Sequence, residues 1–223
     1  TSKELALIWH KEAQKTKNAD TYQLVQYVYK EFLRHLPDDK DSYDMNFYYG
    51  ELLWTLERWK DAAEQYTHVV EMNPKGKYAK DSAYAAVLGW KNALQVDDEG
   101  LGPDAKKAHN EFEDAKKKKE PKTIPEFQQK MIAAFDTYIK YVPDAPELPV
   151  IRYRKARIYY EYNHFDEAAK LFQEVVEKHP NHELSIYSAN LLLDSLNAQG
   201  KTKEVVSWVD KFLEMPNLMK HPE

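Results

Sequence analysis

GELLWTLERWKDAAEQYTHVVEMNP (residues 50–74) and ARIYYEYNHFDEAAKLFQEVVEKHP (residues 156–180) carry one spaced pattern twice. Gly50, Trp59, Ala62, Tyr66, Val69 and Pro74 are separated by 9, 3, 4, 3 and 5 residues, and Ala156, Phe165, Ala168, Phe172, Val175 and Pro180 repeat those separations. From Pro74 to Pro180 is 106 residues, room for whole units of ~34 residues with small adjustments. The residue types give the pattern a mechanism. Small residues at Gly50 and Ala62, or Ala156 and Ala168, let two helix backbones approach, and the ring of Tyr66 or Phe172 fills the space beside the contact. Trp59 and Phe165 stand where a second helix begins, just ahead of Asp61 and Asp166, whose charge suits a helix N-terminus. Pro74 and Pro180 disfavour helical geometry at Asn73 and His179 and close each unit. One such hairpin cannot bury both of its apolar faces, so the units must stack.

This pattern resembles the tetratricopeptide repeat. The resemblance implies an all-α fold, a right-handed superhelix (α-solenoid) of about five helical hairpins running through residues 1–223 as a single array. The first unit is expected over 6–36, with Trp9 and Ala13 on its first helix and Val25, Tyr29 and Phe32 on its second. The second covers 43–74. In the third, Ser82, Ala86 and Trp90 align with Asn46, Gly50 and Trp54, but its second helix resumes only near Glu126. An insertion at 95–125 separates the two helices, with Gly100, Gly102 and Pro103 at its start and a polar stretch from Asp104 to Lys119. The fourth unit spans 149–180 and the fifth 183–215, giving ten repeat helices and one more if the insertion's polar stretch is helical. The last helix carries Val205, Val206, Val209, Phe212 and Leu213 with no polar capping helix evident after it. That predicts either a continuing chain or a face packed on another chain.

Composition narrows the function. Of 223 residues, 43% are hydrophobic and 31% charged, enough to build a core. A net charge of −5, with 32 basic residues dispersed among 37 acidic ones, gives no electrostatic reason for nucleic acid as the main partner. No stretch reaches the ~18 apolar residues of a membrane span. The absence of Cys removes disulfides, thiolate catalysis and Cys-based zinc sites; it suits an oxidising envelope compartment and is equally compatible with the cytosol. A start at Thr1 with no initiator Met and no leader pattern reads as a processed or excised segment.

No catalytic constellation, cofactor site or metal site emerges, and the chain is read as a non-enzyme. His179 and His182 flank Pro180 with only Glu183 nearby, which fits loop histidines better than a metal pair. Asp38, Asp39, Asp41 and Asp44 lack the central Gly and terminal Glu of a calcium loop, and capping by Asp41 or Ser42 explains them better. Lys116 to Lys119 are flanked by Glu111, Glu113, Asp114 and Glu120, the pattern of a solvated face.

In the tetratricopeptide family, the second, fifth, ninth, twelfth and thirteenth positions of each first helix line the concave, ligand-facing surface. Carried over, these positions nominate Asp44, Phe47, Glu51 and Trp54 in the second unit, Val87, Trp90 and Lys91 in the third, and Tyr153, Arg157 and Tyr160 in the fourth. Aromatic platforms edged by both charge signs suit a protein or peptide partner; packing between units is the competing role for Trp54 and Trp90. Family members that clamp a C-terminal carboxylate use Lys at the fifth and Asn at the ninth position; here those places hold Phe47 and Glu51, or Tyr153 and Arg157.

The expected function is a protein-interaction scaffold. The phrase from Asp44 to Trp54 and that from Pro74 to Tyr78 resemble repeat proteins of the bacterial cell envelope, including gliding-motility and outer-membrane-assembly types, which implies periplasmic or outer-membrane association, with the cytoplasm as the alternative. A docking domain cut from a larger enzyme is a second reading. An RNA-binding helical repeat is a third, disfavoured by mixed-sign positions such as Glu51 and Lys91.

Overall fold

The computed structural model describes residues 2–95 and 120–219. Among them every regular element is a helix: α1 Ser2–Thr16, α2 Ala19–His35, α3 Ser42–Thr55, α4 Trp59–Met72, α5 Ala79–Leu94, α6 Glu126–Tyr141, α7 Leu148–Glu161, α8 Phe165–Lys178, α9 Leu184–Ala198, α10 Thr202–Leu213 and the single turn α11 Pro216–Met219. They fall into two compact units, the first within Thr1–Ala93 and Lys140–Val142, the second within Leu94–Ile139 and Pro143–Glu223. The polar stretch Asp104 to Lys119, with Phe112 and the lysine run, lies outside the described residues.

In the first unit, α3 and α4 form the hairpin that the spacing predicts. A Cβ built on Gly50 would meet the Tyr66 ring at 2.9 Å, so the two helices touch where the small residue allows it. Ala62 and Tyr66 are buried in one core with Val25, Tyr29, Met45 and Leu52, and Val69 is buried as well. α4 begins at Trp59, has Asp61 in its first turn and ends at Met72, ahead of Pro74. In the second unit Ala156, Ala168, Phe172 and Val175 occupy the matching buried places, joined by Leu191, Leu192 and Trp208. α6 adds Met131, Phe135 and Tyr138, all buried; the Tyr138 hydroxyl donates to Glu147 Oε2 at 2.9 Å, and Asp136 pairs with Lys155 of α7 at 2.6 Å.

The turns inside the hairpins share a left-handed residue: Lys17 (φ 51°), Glu57 (φ 55°), Asn163 (φ 61°) and Gly200 (φ 70°). After the last three, the next amide bonds five residues back, Arg58 N to Leu53 O, His164 N to Tyr159 O and Lys201 N to Leu196 O, at 2.9, 2.9 and 3.0 Å. This closure satisfies carbonyls at the helix end. Capping differs from expectation at α3. Asp41 stands at the N-cap but makes no side-chain cap bond; its carboxylate accepts from Lys3 instead, at 2.9 Å, and the Ser42 hydroxyl donates to Leu36 O.

The register of α5 also differs. Pro37 precedes α3 by five residues and Pro74 precedes α5 by five, so the two helices correspond at 37 residues, one more than the Trp54 to Trp90 alignment assumes. Buried positions agree: Ser42, Met45, Asn46, Tyr49, Gly50, Leu52 and Leu53 in α3 against Ala79, Ser82, Ala83, Ala86, Val87, Gly89 and Trp90 in α5. The close contact falls at Gly89, where a Cβ would lie 2.9 Å from Ala63 Cβ and 3.0 Å from Trp59 O.

Candidate functional site

A one-residue slip turns a helix face by about 100°, and it decides which nominated residues of α5 face outward. Val87 and Trp90 are buried, at 0% and 2% exposure, and belong to the packed face. Lys91, half-buried, moves from the thirteenth position to the twelfth. The residues that correspond to Asp44, Phe47, Glu51 and Trp54 are Asp81, Tyr84, Leu88 and Lys91, all exposed or half-buried. Tyr84 and Leu88 escape the sequence reading; the equal spacing from Pro37 and Pro74 is the signal that finds them.

On α3 every nominated side chain is half-buried and held by neighbours in its own unit. Phe47 stacks on Tyr78 with centroids 3.8 Å apart and planes 3° from parallel, and Tyr78 in turn stacks on Tyr43 at 5.6 Å. The Tyr43 hydroxyl accepts from the Tyr78 amide at 3.1 Å, and the Tyr78 and Tyr48 hydroxyls are 3.1 Å apart. Trp54 meets Trp59 edge-on at 4.9 Å. Glu51 accepts from the Tyr66 hydroxyl at 2.5 Å. Asp44 lies between Lys3 at 2.8 Å and Lys77 at 3.0 Å. Burial works to raise the Asp44 carboxyl, but the two ammonium groups outweigh it and hold it below its ordinary range. The face is a set of fixed rings with a neutralised acid at one end.

In the second unit Tyr153 and Arg157 are buried, at 9% and 7% exposure, so α7 offers less of itself than the alignment implies. Tyr153 leans on Phe172 at 5.9 Å. Arg157 stands 3.8 Å from Glu161 Oε1, and its Nε has no hydrogen-bond partner. Tyr160, half-buried, packs edge-on against Phe165 and Phe172 at 5.6 and 6.2 Å. Burial, with the Asp194 carboxylate nearby, pushes its hydroxyl up to about 12, so it remains a proton donor at neutral pH. Burial also raises Asp194 itself. Among the described residues no group of three or more His, Asp or Glu could hold a metal ion, and no helix is long and apolar enough to cross a membrane.

Residues 153–199 match the family model described as tetratricopeptide repeat. No curated protein sequence matches. Among solved structures, the MamA protein is 14% identical with a TM-score of 0.46, covering 99% of this chain and 97% of that one. A Podosopora anserina putative kinesin light chain with nearly identical TPR-like repeats is 10% identical with a TM-score of 0.42, covering 96% of each chain. BtubC from P. vanneervenii is 13% identical with a TM-score of 0.38, covering 99% and 82%. Likeness at this distance carries neither partner nor activity across. The hairpin of α7 and α8 overlaps the matched segment, so residues 153–199 carry the tetratricopeptide match, and α3 with α4 shows the same small residues, ring and closing Pro.

Proposed function

We propose that this protein is a non-enzymatic scaffold that binds a partner polypeptide along the first-helix faces of its repeats. One observation carries the reading: Phe47 and Trp54 are half-exposed rings locked by stacking and edge contacts within the first unit. A ring already fixed in place loses little entropy when a partner covers it. Tyr84 and Leu88 extend the same set of positions along α5, and Asp81 and Lys91 supply both signs of charge. A bacterial envelope complex, such as gliding-motility machinery, is the proposed setting, with periplasmic or outer-membrane association; the likeness of the Asp44 to Trp54 phrase to envelope repeat proteins supports it.

The test is affinity capture from envelope fractions with the intact protein and with Trp54→Ala plus Leu88→Asp, each checked for unchanged helicity by circular dichroism. Loss of the captured polypeptides in the variant is expected. An unchanged set of partners with the fold retained removes this face from the mechanism. Fractionation of cells that express the full gene product tests the compartment.

A further inference from the structure

We draw no further inference here: the strongest candidate, the side-chain cluster of Arg157 and Tyr160 on α7 with Asp194 of α9 beside them, belongs to the first-helix face already described, its buried guanidinium stands 3.8 Å from Glu161 of its own helix, and nothing in the structure shows what covers it.

Discussion

The Tyr66 ring fills the space above Gly50 so closely that a Cβ there would lie 2.9 Å from Cε1 and 3.0 Å from Cδ1. The ring cannot swing away without cost, because it is buried and its hydroxyl donates to Glu51. Gly50→Ala gains about 1 kcal/mol of helix propensity but forces an overpacked contact worth ~1–3 kcal/mol. A net loss of up to about 2 kcal/mol is expected in urea unfolding. Adding Tyr66→Leu should recover part of it, a coupling that independent sites would not show.

Glu57 holds φ at 55° in the turn between α3 and α4, where the fifth hairpin uses Gly200 at 70°. Its side chain is exposed, and the left-handed backbone disfavours any residue with a Cβ. Glu57→Gly should raise stability by about 0.5–1 kcal/mol, read as a higher urea midpoint with an unchanged slope. Asn163→Gly at the matching turn should gain less, because the Asn163 amide donates to Glu120 O at 2.9 Å and that bond would be lost.

The hairpins were legible because their contacts need particular sizes: Gly50 under Tyr66, Ala156 and Ala168 beside Phe172. Those residues announce the pairing of α3 with α4 and of α7 with α8 before any coordinates. The outward face of α5 was not legible from the same logic, since Trp54 and Trp90 look equivalent while only Trp54 is half-exposed. The equal spacing from Pro37 and Pro74 makes Val87, and not Ala86, the counterpart of Gly50, and the helix turns accordingly. Burial of Tyr153 and Arg157 is likewise set by surroundings that the sequence of α7 does not encode.

His10 is buried with Nδ1 on the Tyr29 hydroxyl and no partner at Nε2. Burial holds its pKa below the ordinary value of 6.5. Above pH 6.5 the ring is neutral in both folded and unfolded chains, so it imposes no pH dependence. As pH falls below 6.5 the unfolded chain takes up a proton that the folded one resists, and stability should decline until pH passes the folded value. The thermal midpoint measured from about pH 8 to about pH 5 should therefore drop on the acid side, and His10→Gln should flatten part of that drop. His179, whose pKa is also lowered, by burial and then by Arg152, His182 and Lys178, contributes with the same sign, so His179→Gln is the companion measurement. An acid-side slope unaltered by His10→Gln would show that the ring carries no such penalty.

The segment 120–125 ahead of α6 is tied to the turn between α7 and α8. The Lys122 amide donates to Tyr162 O at 2.8 Å, the Asn163 amide donates to Glu120 O, and His164 Nε2 donates to Lys122 O at 2.8 Å. At the matching turn of the second hairpin, Glu57 has no side-chain donor to offer a backbone carbonyl and Arg58 is engaged with Asp61 at 2.5 Å. Asn163 and His164 thus distinguish this turn from its counterpart by holding the segment 120–122. Replacing both with Ala should raise amide exchange at Lys122 by about tenfold for each ~1.4 kcal/mol of bonding lost, while the amides of α8 keep their protection. If exchange at Lys122 were unchanged, the backbone bond to Tyr162 alone would hold the segment, and the two side chains would have no part in it.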